Sequence, residues 1–402
     1  MAEPAVPPGT RWRVVFVATF GGAAAAMQVG KAGATLPLIR SEFGADISLL
    51  AIYISLVSLV AALAGAGFGL ATRRFGLRRS ASIGLLSIAL ASVLGAAADT
   101  ASMLLVSRSI EALGFAFCTS AFPALARSAA AVRQQSLVMG IWAAWMPLGV
   151  ALAMALSAAF LDAIGWRGIF VLSAIVPLIA LAALWAVVPK PPSATPLPSS
   201  GAGAILHREV ITLALVFVTF SAANMIYMGF LPTMLVDVLQ MSPTQANLAA
   251  FLAVLFLLPT NLLAGRWLDS GVGSRLLLVV SFILLALSPV AVMLPELPLS
   301  ARLGGIVLFA AAAGVPPAVI WAGIPKLSRA PGDAPVLSGV FYQGAGIGQI
   351  AGPVAAGMAY GAMQSWWAAI CAIAAFSAAG IALAFSLGSR RGTREPRTGA
   401  VE

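Results

Sequence analysis

"PKPPSATPLPSSGAGAILHRE", Pro189 to Glu209, interrupts a chain otherwise made of long apolar runs. It is too polar to cross a membrane and too short to fold alone, and its cluster of prolines, serines and glycines marks a break between periodic segments. Residues 189–208 therefore read as a linker. On either side of it the sequence offers six apolar runs of spanning length, so the linker divides the chain into two halves, 1–188 and 209–402.

The composition says what those runs are. Of 402 residues, 61% are hydrophobic and 9% charged, and the mean hydropathy is +1.00. Soluble domains carry about 25% charged residues, so this much apolar surface cannot be hidden from water in a soluble core. Taking roughly 20 apolar residues per crossing, the spans fall at 13–39, 47–71, 79–98, 102–125, 136–161 and 168–188, then at 210–235, 245–268, 276–294, 302–325, 336–361 and 366–388. The expected fold is an all-α membrane protein of twelve transmembrane helices in two six-helix bundles. "MAEPAVPPGTRWR" runs straight into the first span without a short apolar core and an A-x-A-like site, so the amino terminus is expected to be retained.

Loop charges set the orientation. Lys31 and Arg108 fall inside spans, and Arg40, Arg167 and Arg302 fall in loops of one side. All the other lysines and arginines collect on the opposite side, which the positive-inside rule makes cytoplasmic. Both termini are then expected in the cytoplasm and the protein in the cell's inner (plasma) membrane. The same spread over many loops explains the net charge of +10 without a nucleic-acid partner. Cys118, Cys371 and His207 form no metal-ligand spacing, and no nucleophile, base and orienting group recur together. Neither a metal, a cofactor nor enzymatic chemistry is expected.

A shift of about 196–200 residues lays the chain on itself. "GLATR" (Gly69 to Arg73) falls on "GRWLD" (Gly265 to Asp269), "GWR" (Gly165 to Arg167) falls on "SWW" (Ser365 to Trp367), and Leu36-Pro37 lies one register off Leu231-Pro232. Six spans per half is an even number, so the repeats run parallel, about an axis along the membrane normal.

These residues carry a family resemblance. In span number and loop placement, and in two copies of a loop of the form G-x-x-x-D-R-x-G-x-R-R, nearly the whole chain resembles a major facilitator superfamily transporter. The copies are "GLATRRFGLRR" (Gly69 to Arg79) and "GRWLDSGVGSR" (Gly265 to Arg275). In the family the loop aspartate helps latch the cytoplasmic side, which implies gating roles for Gly69, Arg73, Gly76, Gly265 and Asp269. The first copy departs from the pattern, with Arg73 where the aspartate stands. "RSIEALG" (Arg108 to Gly114) is similar to the family's fourth-span signature, with Glu111 in place of a glutamine. "MGIWAAWMPLG" (Met139 to Gly149) lacks the Gly-Pro pair of the drug antiporters. "RRSASIGLLSIAL" (Arg78 to Leu90) and "SLVMGIWAAWM" (Ser136 to Met146) resemble the cyanate and nitroimidazole permease branch.

The candidate site begins with Lys31, since a charge near the centre of the hydrocarbon costs at least ~2.5–3.5 kcal/mol. At ~1.5 Å per residue, Arg108 reaches about the same depth from the same side, with Glu111 on its face at i+3. The resemblance implies that the first, fourth, seventh and tenth helices line a central cavity, which would set Lys31 and Arg108 facing each other across it. At an offset of 196, Gln28 and Lys31 map onto Asn224 and Tyr227, each pair spaced i, i+3. Trp142, Trp145, Trp321, Tyr342 and Gln343 could add walls. Gly344, Gly348 and Gly352 form a stripe suited to close helix packing.

The function expected is secondary active transport of a small anion by alternating access. Lys31 and Arg108 would neutralise the substrate, Gln28, Asn224 and Tyr227 would hydrogen-bond it, and Glu111 would carry a coupled proton or tune Arg108. Two alternatives differ in kind. An exporter of cationic or hydrophobic compounds would use Glu111 as counter-charge, and a transport-inactive sensor or scaffold would tolerate neutral residues at positions 31 and 108. The chain is expected to act as a monomer in the bilayer.

Overall fold

The computed structural model describes residues 9–44, 47–189, 198–201, 207–241 and 243–387. Most of the expected linker (190–197 and 202–206) and both terminal segments, with Lys190 and the arginines from Arg390 onward, lie outside the described residues.

The first half contains α1 (Trp12–Phe43), α2 (Ile47–Phe75), α3 (Leu77–Ala96), α4 (Ala101–Ser128), α5 (Gln135–Ala143) and α6 (Trp145–Val187). The second contains α7 (Arg208–Leu239), α8 (Pro243–Asp269), α9 (Ser274–Met293), α10 (Leu299–Ala313), α11 (Val315–Leu327), α12 (Asp333–Met363) and α13 (Trp366–Ser386). These thirteen helices make twelve spans. The fifth is broken at Ala144 into α5 and the first part of α6, and the tenth at Gly314 into α10 and α11. Both breaks precede prolines, Pro147 and Pro316-Pro317, which supply no N–H to the carbonyl four residues back. The fifth and sixth spans join at Gly165, whose φ of 66° turns the chain within α6 as a residue without a Cβ can.

Among the described residues, eleven segments are long and apolar enough to cross a membrane. The remaining span, α12, is diluted by the glycines and glutamines of "QGAGIGQIAGP". Those glycines are used for contact: a Cβ at Gly344, Gly348 or Gly352 would run into the carbonyl oxygens of Ala214, Val218 and Ala222 on α7. On another face of α12, Gly339 and Gly346 meet Gly65 and Ala62 of α2 in the same way. α12 is thereby clamped between its own half and the other.

The repeat is visible in atomic detail. The Trp166 indole donates to Glu42 at 2.6 Å, and the Trp366 indole donates to Asp237 at 2.9 Å, each tying the last helix of a half to the end of its first. The first helix of each half ends in a left-handed residue, Gly44 (φ 56°) and Gln240 (φ 53°). Arg78 and Arg275, second residues of α3 and α9, both donate to a carbonyl near the end of their half's last span, those of Trp185 and Leu387. Among the described residues, the side-chain hydrogen bonds that join the halves directly are Ser58 to Gln349, Ala66 N–H to Gln343 and Leu137 N–H to Asp269. The Leu137–Asp269 contact lies at the face that bears most of the arginines, called the basic face below, and Ser58–Gln349 near the middle of α2 and α12.

Candidate functional site: a buried ion cluster and an aromatic cavity

Lys31, on α1, is fully buried, as is Gln28 one turn before it. Its ammonium lies 2.6 Å from Glu111 Oε1 and donates to Ser92 Oγ at 3.0 Å. Arg108, one turn before Glu111 on α4, places Nη1 2.5 Å from Glu111 Oε2 and 2.8 Å from the Gln28 carbonyl, and its Nε donates to the Tyr53 carbonyl at 3.2 Å. One carboxylate thus bridges two cations, with an oxygen for each, in a site where all three side chains are at most 3% exposed. Charge-assisted hydrogen bonds of this kind are about twice as strong as neutral ones. They are what lets two cations stay this deep.

Neighbouring groups fix the arrangement. Ser92 Oγ is 3.2 Å from both Gln28 Oε1 and Glu111 Oε1, so its one proton serves either acceptor. The Gln28 amide donates to the carbonyls of Ala24 and Ser173, which sets its oxygen toward Ser92. The Lys31 ammonium sits over the Phe170 ring at 4.2 Å and the Arg108 guanidinium over Tyr53 at 5.2 Å, contacts that favour a cation once water is excluded. Ser92, Tyr53, Phe170 and Ser173 are absent from the sequence reading. Single hydroxyls and rings in apolar spans usually only back-bond or pack, and nothing in their spacing marks these four.

The structure brings together four of the expected site residues, Gln28, Lys31, Arg108 and Glu111, and it alters their relation. Lys31 and Arg108 do not face each other across a cavity between the halves. Both point into the interior of the first half, among α1, α2, α3, α4 and α6, and meet at Glu111. Asn224 and Tyr227 lie apart from them. The Tyr227 ring packs on Phe309 at 4.0 Å, and its buried hydroxyl has no partner among the described residues. α7 and α10, which carry that ring pair, are the first and fourth helices of their half, as α1 and α4 are of theirs. The repeat has therefore kept the geometry and exchanged ions for rings.

Asn224 opens instead onto a cavity of about 120 Å³ between the halves, lined by Trp145, Phe217, Trp321, Tyr342 and Gln349 among others. Of the candidate walls, Trp145, Trp321 and Tyr342 are in place. Trp142 is buried beneath them, stacked on Trp145 at 5.2 Å, and Gln343 is engaged with Ala66 of α2. Phe115, on α4 one turn past Glu111, is not part of the cavity lining but packs on two of its rings, with centroids 5.7 Å from Trp145 and 5.4 Å from Tyr342.

The expected gate residues lie at the basic face. Asp269 accepts the backbone N–H of Leu137 at 2.8 Å, near the start of α5, where a carboxylate satisfies a free helix donor and the helix dipole. Gly265 lies against Ser136 and Gly140 of α5, and Gly69 against Pro335 and Val336 of α12. Gly76, with φ 85°, turns α2 into α3. Arg73 donates to Ser199 Oγ at 2.8 Å, and Ser199 donates to Asp333 Oδ1 at 3.1 Å. The acid missing from the first loop is supplied from the opposite side of the contact, at the start of α12. Asp333 also accepts from Ser200 and from the N–H groups of Arg329 and Ala330, while Gly332 N–H donates to Pro198. Burial alone would raise the Asp333 carboxyl. Hydrogen bonds, those of Ser200 foremost, outweigh it and hold the group below the ordinary aspartate range.

The model of the Major Facilitator Superfamily matches residues 18–242 and 213–402. Among curated proteins none matches by sequence. Solved structures are similar along nearly the whole chain, among them the following three. The human organic anion transporter MFSD10 (TETRAN) is 18% identical, with 95% of this chain and 100% of that one covered and a TM-score of 0.73. The proton:xylose symporter XylE, bound to 6-bromo-6-deoxy-D-glucose, is 16% identical, with 93% and 94% covered and a TM-score of 0.77. FucP, in its outward conformation, is 16% identical, with 94% and 99% covered and a TM-score of 0.72. At these identities the likeness is one of fold.

Proposed function

Because the chain belongs to the Major Facilitator Superfamily, we propose that it is a secondary transporter which carries a small anion between its two halves and couples that movement to a proton on Glu111. One observation carries the reading: two buried cations share a single carboxylate, so the cluster holds one positive charge more than it pairs. The similar structures do not choose the solute, since their names include both an organic anion and a sugar.

Electrostatics supplies the coupling. With Glu111 ionised, Lys31 and Arg108 are held by it and the site is closed to another anion. A proton on Glu111 would leave two desolvated cations facing a neutral acid, a loss of several kcal/mol in a buried site. An anion of unit charge taking the carboxylate's place restores the pairing. Proton and anion then favour each other's binding and keep the cluster's charge constant, which makes their joint movement electroneutral. Gln28 and Ser92 hold the two cations in place while the counter-ion changes, and Asn224 contacts the solute from the other half. Arg73, Asp269 and the glycines beside them govern closure of the basic face. The loop charges support placing that face in the cytoplasm.

Uptake into proteoliposomes tests this. A panel of labelled anions and cations, with an imposed pH gradient and no membrane potential, should show accumulation of an anion driven by the pH gradient. Accumulation of cations alone, or of an anion driven by potential and indifferent to pH, would contradict it.

A further inference from the structure

The cavity between the halves is lined largely by rings, and among the described residues no charged side chain lines it. A bare inorganic anion would have to shed its water against carbon there, at high cost. Trp145, Phe217, Trp321 and Tyr342 supply flat walls from both halves, and Trp142 fixes them from behind, stacked on Trp145 (12° between planes) and perpendicular to Trp321 (88°). At about 120 Å³ the space is on the scale at which apolar cavities admit one benzene-sized ring. Gln349 is engaged by Ser58, but two of the cavity's polar atoms are free: among the described residues, Asn224 Oδ1 and the Tyr342 hydroxyl are buried without a partner. An orphaned acceptor and a hydroxyl beside flat walls suit a ring that bears its own O–H or N–H donor.

We infer that the transported anion is an aromatic carboxylate with a hydrogen-bonding ring substituent, its ring seated against Trp145 and Tyr342 and its substituent on Asn224. The inference rests on the transport reading for the charged end alone. Phe115 stands one turn from Glu111, roughly 6 Å along α4, and touches both Trp145 and Tyr342. Stacking adds roughly two- to tenfold in affinity per ring pair beyond the area buried, which separates an aromatic from a saturated ring of equal size.

Equilibrium binding to the full-length protein in lipid nanodiscs tests the inference, with 4-hydroxybenzoate, benzoate, cyclohexanecarboxylate and uncharged 4-hydroxybenzamide as probes. We expect 4-hydroxybenzoate to bind at least about tenfold more tightly than cyclohexanecarboxylate, with benzoate between them. Asn224→Ala should erase the advantage of 4-hydroxybenzoate over benzoate, and Trp145→Leu that of benzoate over the saturated ring. The wild-type comparison stands even where a variant fails to fold. Equal binding of the aromatic and saturated acids overturns the inference and leaves the anion reading standing. If 4-hydroxybenzamide binds as tightly as the acid, the aromatic site stands and the anion reading falls. Failure of all four probes to bind a protein that melts cooperatively overturns both.

Discussion

Arg73 reaches Asp333 through a single hydroxyl, that of Ser199, with steps of 2.8 and 3.1 Å. The arginine belongs to the first half, the aspartate to the second, and the serine to the segment that connects them. The linker therefore takes part in the contact between the halves at the basic face. On the other side of that face the matching contact is direct, from Asp269 to the start of α5.

Asp333→Asn and Asp269→Asn should each loosen the basic face by about 1–2 kcal/mol, the worth of a capping carboxylate. Distances between spin labels placed on α2 and α12, or on α5 and α8, should broaden toward longer values. Because the Asp333 carboxyl is held below its unfolded value of about 3.9, its contribution is complete above that pH and is lost as pH falls through the folded value. The closed population should thus not respond to pH between about 5 and 8 through this residue. A transition in that range that disappears in Asp333→Asn would refute the assignment.

Gly348→Leu should abolish folding or lower the melting temperature sharply, since its side chain would enter the Val218 carbonyl on α7 and overpacking costs about 1–3 kcal/mol or more. Gly357→Leu, at a position on the same helix with open space around its Cα, is the control. Equal melting of the two variants would contradict the packing described for α12.

Charge balance in the cluster predicts an unequal response to neutral substitutions. Lys31→Met leaves Glu111 and Arg108 as a one-to-one pair, so stability should change little. Glu111→Gln leaves two buried cations without a counter-ion and should cost about 3–5 kcal/mol. The double variant should recover part of that loss. Thermal or denaturant unfolding in detergent orders the three, and Lys31→Met proving the least stable would show that the pairing is misassigned.

Reporter fusions address orientation. An enzyme active only in the periplasm, fused after Ala400, should be inactive, and one fused in the loop between α1 and α2 should be active. The reverse pattern would put the basic face outside.

Much of this was legible in the sequence because the bilayer imposes it. Span length and the duplicated loop report on lipid and water, which every helix meets in the same way. The stripe of Gly344, Gly348 and Gly352 was also legible, since a small-residue ridge has one obvious use. Less legible was the direction of each polar face. The i, i+3 spacing of Gln28 and Lys31 shows that they share a side of α1, but not that this side turns into its own bundle toward Ser92 and Phe170. Asn224 and Tyr227 have the same spacing and part company: three residues leave an offset of about 60° around a helix. That is enough for Asn224 to open on the cavity while Tyr227 turns to Phe309. The breaks at Ala144 and Gly314 follow from Pro147 and Pro316, yet proline also lies inside unbroken helices, as Pro353 does in α12. Neighbouring helices decide the outcome.

The central claim is that an anion displaces Glu111 from Lys31 and Arg108 only as Glu111 takes a proton. Proton uptake on anion binding tests it most directly, measured with a pH indicator in a weakly buffered solution of purified protein. The account predicts about one proton taken up per anion bound near neutral pH, and none in the Lys31→Met/Glu111→Gln double variant. Stoichiometric anion binding without proton uptake, or with proton release, would contradict it.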